Sequence, residues 1–210
     1  MRFSPWPLIA AIGLGVFALM SWIIASKAAI PFDQPLLDSA KGLDQYMGFW
    51  RLLSDAANYP LIAIGIGIVV WLLIKRQGRE AVLVVGVLAA VTAGSEGVKL
   101  LVARPRPPGD SSTYLGAVYS YPSGHILEAV TIYGIIAVLL WRSSAPKAVR
   151  VVVPVLFVVL IALTAVARVA VNEHYPSDVL ASLFGGVGVL ALFAWFTDIL
   201  ARRDRSKSQR

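Results

Sequence analysis

The chain has 210 residues, of which 58% are apolar and only 15% charged, with a mean hydropathy of +0.73 and no cysteine. That composition excludes an ordinary soluble domain, whose solvated face needs more charge, and it excludes disulfide frameworks, thiolate chemistry and iron–sulfur clusters. The net charge of +7 falls in short basic clusters between apolar runs, which excludes a continuous nucleic-acid surface, and two histidines, His125 and His174, are too few for a multi-histidine zinc site.

A helix needs about 20 apolar residues to cross a hydrocarbon core, and six runs approach that length. The first, residues 7–25, carries no charge and has only Arg2 before it, so it is read as a retained span rather than a cleaved signal peptide. Residues 27–56 then mix Pro31, Pro35 and four aspartates with Leu36, Leu37, Leu43, Met47 and Phe49. This predicts an extramembrane segment with a short interfacial helix, placed to act as a lid. The remaining runs cover residues 57–74, 81–103, 123–141, 149–167 and 177–199. Gly65, Gly67, Gly185, Gly186 and Gly188 suit close helix approach in lipid. The expected fold is all-α: a six-span transmembrane helix bundle with a short interfacial helical segment between spans one and two. Neither repeat nor linker divides residues 1–210, which read as a single domain.

Basic residues in short loops resist translocation and mark the cytoplasmic side. Twelve fall on one side: Arg2, Lys75, Arg76, Arg79, Arg142, Lys147, Arg150, Arg202, Arg203, Arg205, Lys207 and Arg210. Seven fall on the other: Lys27, Lys41, Arg51, Lys99, Arg104, Arg106 and Arg168. Both termini are thus expected in the cytoplasm, with the loops after spans one, three and five facing the periplasm or cell exterior. The six tryptophans mostly fall near span ends, as an aromatic belt predicts.

Ionisable residues at the centre of a span cost about 2.5 to 3.5 kcal/mol each, so their clustering is informative. Lys99, Arg104 and Arg106 end the third span; Ser123, Gly124 and His125 open the fourth; Arg168, His174 and Asp178 lie between the fifth and sixth. With six spans, all of these reach one face of the membrane. Guanidinium forks and an ammonium match a phosphate dianion. Ser123 and Gly124 add helix-start N–H groups that point at an anion. Two histidines offer what metal-free phosphoryl transfer requires, a nucleophile for phosphorus and an acid for the departing oxygen. Asp178, four residues after His174, is placed to hold one ring nitrogen and leave the other free.

Lys99 with Arg106-Pro107, then Pro122-Ser123-Gly124-His125, then Arg168 with His174 and Asp178, resembles the three-part signature of the type 2 phosphatidic acid phosphatase (PAP2) superfamily. That family includes bacterial lipid phosphatases, glucose-6-phosphatase and vanadium haloperoxidases. The signature runs from Lys99 to Asp178, and the span layout extends the likeness over nearly the whole chain. One departure is Ala167 before Arg168, where the family usually has serine. The doubled Arg104-Pro105-Arg106-Pro107 leaves Arg104 as an auxiliary contact or headgroup anchor, because spacing selects Arg106.

The resemblance implies that His174 attacks phosphorus to form a phosphohistidine and that Asp178 orients it. It further implies that His125 protonates the leaving oxygen and then activates water, while Lys99, Arg106, Arg168, Ser123 and Gly124 hold the phosphoryl oxygens. No metal or other cofactor is implied. Expected partners are a lipid phosphate substrate and membrane lipids, with no nucleic acid and no obligate protein partner.

Taken singly, the basic residues are also consistent with interfacial anchors, the histidines with structural hydrogen bonding and Asp178 with a helix cap. Their joint spacing favours a site. Glu96 reads as an ion-pair partner of Lys99 and Glu173 as a solvated loop residue; Glu128, unusual inside an apolar run, is at most an auxiliary residue that pairs with an arginine or touches substrate. The expected activity is removal of a terminal phosphate from a lipid phosphate or pyrophosphate in a bacterial inner membrane. Undecaprenyl pyrophosphate stands ahead of phosphatidylglycerophosphate and phosphatidic acid, with lipid A phosphate also considered. The competing readings are a lipid phosphotransferase using the same intermediate and a non-catalytic lipid-phosphate carrier; a haloperoxidase has no need of six spans.

Overall fold

The computed structural model describes residues 4–56, 58–108 and 118–208. Eight α-helices occur among them: α1 (Trp6–Ala25), α2 (Asp33–Ala40), α3 (Met47–Ala56), α4 (Asn58–Ile74), α5 (Gly78–Val102), α6 (Gly124–Arg142), α7 (Lys147–Ala170) and α8 (Pro176–Ser208). The only extended pairing among the described residues is an isolated antiparallel bridge between Pro105 and Tyr119.

Five of these helices, α1, α5, α6, α7 and α8, are long and apolar enough to cross a membrane. The sixth expected span is α4, whose 17 residues rise about 26 Å at 1.5 Å per residue, short of a core about 30 Å thick. Five of the six expected spans are thus found at full length, and the sixth, α4, is a shorter apolar helix beside them.

Leu61, Leu72, Val84, Ile132, Ile135 and Phe193 pack α4, α5, α6 and α8 around one apolar core. The outward faces are equally apolar: Val152, Val155 and Val158 on α7, Leu100 and Leu101 on α5 and Ile62 and Ile66 on α4 are exposed. Continuous apolar surface of this kind needs lipid to cover it, and the chain is an integral membrane protein.

Helix α1 lies directly on α8 because two glycines face each other. A Cβ on Gly13 would stand 2.8 Å from the Gly188 nitrogen, and one on Gly188 would stand 2.8 Å from the Leu14 nitrogen. Gly185 and Gly186 meet Phe17 and Val130 in the same tight manner, and Gly65 meets Leu88, whereas Gly67 faces open space and makes no close approach. At the end opposite the signature residues, Trp6 Nε1 (3.0 Å) and Arg142 Nη2 (2.6 Å) both donate to Asp198, joining α1, α6 and α8.

The segment after α1 is more structured than one short helix: α2 and α3 are joined by a 3-10 turn over Lys41–Tyr46. It is fastened to the bundle by two buried polar side chains, Asp33 on α2 and Ser54 on α3. Arg2 and Arg210, counted above for topology, lie outside the described residues.

Candidate active site

Helices α5 and α7 end where α6 and α8 begin, so connectivity alone brings the three signature pieces to one end of the bundle. Helix α5 stops at Ala103, which adopts a left-handed conformation (φ 47°) and donates its N–H to the Lys99 carbonyl at 2.9 Å. The chain then turns across the helix ends as residues 104–108. Helix α7 closes into a tight turn in which the Arg168 carbonyl accepts the N–H groups of both Glu173 and His174 at 3.2 Å. Asn172, left-handed at φ 60°, donates to the Pro108 carbonyl at 2.6 Å and ties the two loops together.

Ser123 occupies the N-cap of α6 without making a side-chain capping bond, so the N–H groups that open this helix stay available to an anion. Its own N–H donates to Ser182 Oγ at 2.9 Å, and Ser182 donates to the Asp178 carbonyl at 2.7 Å, which fixes the start of α6 against α8. Gly124 faces Ser95 and Lys99: a Cβ there would meet Ser95 Oγ at 3.5 Å and Lys99 Nζ at 3.7 Å, ordinary contact distances, so glycine leaves this backbone open but is not required by space. Lys99 also pairs with Glu96 at 2.6 Å, as expected from their spacing.

The cations converge around His174. Arg168, only 2% exposed, places Nη2 3.4 Å from His174 Nε2 and donates through Nη1 to Ser54 Oγ at 2.7 Å. So buried a guanidinium is no headgroup anchor. Glu173 is 1% exposed and bridges Arg168 and Arg106, the latter at 3.5 Å, which corrects the expectation of a solvated loop residue. The turn folds its carboxylate inward, where it supplies counter-charge to both guanidinium groups. The charges of Arg168, His174, Lys99 and Arg106 all act on His125, so both imidazoles belong to one constellation.

Four buried polar side chains here have atoms without a hydrogen-bond partner among the described residues: Arg106 Nε and Nη1, Ser123 Oγ, Ser95 Oγ and His125 Nε2. Buried polar groups are normally satisfied, and such a concentration marks a place for a polar ligand. Donors, cations and helix-start N–H groups together suit an anion.

The orientation of His174 follows from its neighbours. Nδ1 lies 2.6 Å from the Ser120 carbonyl oxygen, which can only accept, so Nδ1 carries the proton and Nε2 keeps its lone pair on the Arg168 side. Asp178 Oδ2 stands 3.8 Å from Nδ1, beyond hydrogen-bond length, and acts on the ring through its charge. The expected direct hold by Asp178 is thus corrected: a backbone carbonyl orients the ring, and Asp178 accepts instead from Tyr175 N at 2.9 Å and Arg104 Nη1 at 2.5 Å. Arg104, expected as an auxiliary contact or headgroup anchor, is a structural bridge between Asp178 and Asp33 and stacks over the Tyr175 ring at 3.8 Å. Burial works against its charge, but Asp178 and Asp33 outweigh this and hold its pKa above the usual value.

Burial, with Arg168 and Arg106 adding to it and Asp178 opposing, holds the His174 pKa below its usual value. The neutral ring is therefore kept to lower pH than in an unfolded chain, and the stability this contributes is present above about pH 6.5 and lost as pH falls through the folded pKa. The acid limb of kcat/KM for phosphate release is expected below pH ~6.5; a limb clearly above that value in a pH–rate profile would contradict it.

Glu128, one turn after His125 on α6, pairs with no arginine among the described residues; its Oε1 accepts from Thr92 Oγ1 at 3.2 Å. Both line a cleft of about 490 Å³ between α4, α5 and α6, whose other walls include Leu61, Ile66, Val85 and Leu88. Sequence reasoning missed Ser95, Ser120, Ser54, Ser182 and Asp33. Of these only Ser95 carried a signal, standing four residues before Lys99 on one helix face.

The PAP2 superfamily model matches residues 80–201, more than half of the chain. No curated protein matches it significantly. Among solved structures, a transmembrane PAP2-type phosphatidylglycerolphosphate phosphatase from Bacillus subtilis shares the fold with a TM-score of 0.72 at 18% identity, over 90% of this chain and 96% of the other. LpxE from Aquifex aeolicus aligns with a TM-score of 0.57 at 16% identity, over 80% of this chain and 96% of its own. A family match spanning every signature residue from Lys99 to Asp178, on a membrane fold shared with these two enzymes, has one conclusion: the chain belongs to the PAP2 superfamily.

Proposed function

We propose that the chain is a metal-independent lipid phosphatase that removes a terminal phosphate from a lipid phosphate or pyrophosphate through a phosphohistidine. The observation that carries this reading is the His174 ring: Nδ1 is committed to the Ser120 carbonyl, and Nε2 faces Arg168 beside buried donors that lack partners. Nε2 attacks phosphorus while Lys99, Arg106, Arg168, Ser123 Oγ and the Gly124 N–H hold the equatorial oxygens and the charge that builds on them. The bond from phosphorus to the lipid oxygen breaks, and that oxygen takes a proton from His125. His125, now neutral, accepts a proton from water as the water attacks the phosphohistidine, and inorganic phosphate leaves.

The lipid chain remains in the bilayer through the apolar cleft between α4, α5 and α6. Its polar walls, Thr92 and Glu128, are hydrogen-bonded to each other, and Glu128 stands one turn after His125, the residue that on this reading protonates the leaving oxygen. A glycerol hydroxyl can add a hydrogen bond to this carboxyl beside the one from Thr92, which a prenyl chain cannot, and this favours phosphatidylglycerophosphate over the undecaprenyl pyrophosphate expected from sequence. The phosphatidylglycerolphosphate phosphatase activity in the name of the Bacillus subtilis relative agrees with this choice.

The test is phosphate release by purified protein from phosphatidylglycerophosphate, phosphatidic acid and undecaprenyl pyrophosphate with EDTA present. Turnover unaffected by EDTA, fastest on the first substrate, is expected. EDTA-sensitive turnover would sink the metal-free mechanism, phosphate appearing on a second lipid rather than in solution would establish a phosphotransferase, and binding without turnover would establish a carrier.

The proposed setting is a bacterial inner membrane with cytoplasmic termini and an outward-facing site, as the distribution of basic residues supports. The chain has no native cysteine, so Gly42→Cys, in the exposed turn after α2, should be labelled by a membrane-impermeant maleimide in intact cells. Labelling only after lysis would reverse the orientation.

A further inference from the structure

Asp33 opens α2 in the extramembrane segment, yet its side chain is buried among groups from the opposite end of the sequence. Its Oδ1 accepts from Ser177 N at 2.9 Å, and its Oδ2 accepts from Ser177 Oγ and Arg104 Nη2, each at 2.7 Å. Arg104 thus has one fork arm on Asp33, and with the other it donates to Asp178 at 2.5 Å and Ser177 Oγ at 2.8 Å. Two carboxylates share one guanidinium, so the Asp33–Arg104–Asp178 group carries a net charge of about −1. Its nearest oxygen to the site is Asp178 Oδ2, 3.8 Å from His174 Nδ1.

We propose that Asp33 is a positioning residue for the reaction: by occupying half of Arg104 it keeps the Asp178 charge uncancelled, so that it supports the positive charge His174 gains on attacking phosphorus. This rests on His174 being the nucleophile. Bond formation at Nε2 with the proton retained on Nδ1 makes the ring cationic, and the groups facing it from α6, α7 and the loop after α5 are mostly cations. They are Arg168, Arg106 and His125, against Glu173, which is already shared by two arginines. The negative group that opposes them is the one that Asp33 completes. Without Asp33, Arg104 would neutralise Asp178 alone, and the ring would lose its counter-charge. The same contacts make docking of the extramembrane segment a condition for full nucleophile activity, since Asp33 reaches Arg104 only when α2 lies on the start of α8.

The experiment compares pH–rate profiles and thermal stability of wild type, D33N, D33E and S177A, with phosphatidylglycerophosphate as substrate. D33N removes one negative charge near His174, which disfavours the imidazolium. Its acid limb should move to lower pH by on the order of half a unit, and kcat should fall on the order of tenfold with KM nearly unchanged. D33E and S177A disturb the contacts but keep the charge, so they should lose stability while their acid limbs stay with wild type. An acid limb of D33N that coincides with that of D33E and S177A overturns the proposal. Failure of D33N to fold while the other two fold and turn over overturns it also, because Asp33 is then only a structural fastening. Should the nucleophile reading itself be wrong, H174A would retain turnover, whatever the Asp33 variants do.

Discussion

H174A is expected to lower phosphate release by roughly ten-thousandfold or more while leaving the protein folded in its detergent or bilayer. Removing a nucleophile abolishes the covalent route, and what remains is the background that bound cations and N–H groups sustain alone. The structural cost is smaller. Alanine leaves the Ser120 carbonyl without its Nδ1–H donor, a loss of about 1–3 kcal/mol for one buried acceptor, which a thermal melt separates from the loss of turnover. Turnover within a few-fold of wild type would remove His174 from the reaction.

Arg168 has the second large effect, and it acts on both activity and stability. R168A is expected to reduce turnover about a thousandfold, because in the proposed mechanism the fork that faces His174 Nε2 also stabilises charge in the transition state. It also takes the Arg168 guanidinium away from the Glu173 carboxylate, which is 1% exposed, and breaking a buried pair from one side costs about 3–5 kcal/mol. The double variant R168A/E173A should recover much of that stability and none of the activity. R168K keeps a charge but neither the fork nor the combined reach to Ser54 and His174, so it should remain severely impaired. Equal recovery of stability and turnover in the double variant would mean that Arg168 serves only the fold.

The residues that sequence made legible are those whose side-chain chemistry is itself the signal. Lys99, Arg106, Ser123, Gly124, His125, Arg168, His174 and Asp178 are costly or unusual at membrane boundaries, and helix connectivity alone brings them to one end of the bundle. The spans are legible from apolar runs; α4, with 17 residues, is the shortest of them.

What sequence hid falls into two physical kinds. The Ser120 carbonyl is a backbone group, and no residue type announces that it will orient His174. Glu173 and Asp33 sit in stretches whose composition reads as solvated, and only folding shows that each is buried against arginines. Glu173 meets Arg168 because the turn between α7 and α8 closes back on itself, whereas Asp33 meets Arg104 and Ser177 across long stretches of chain. Arg104 reads as an auxiliary contact or headgroup anchor for the same reason: nothing in the sequence puts its partner Asp33 nearby. The absent hydroxyl at Ala167 has a neighbour in space, since Ser54 on α3 supplies a hydroxyl to Arg168 from the extramembrane segment.

The most direct measurement is acid-free quenching of a single turnover with labelled lipid phosphate, followed by mapping of the phosphorylated residue. An alkali-stable, acid-labile phosphoryl group on His174, formed before phosphate is released and absent from H174A, is the expected result. Phosphate release without any protein-bound phosphoryl group on that timescale, or a phosphoryl group on another residue, would contradict it.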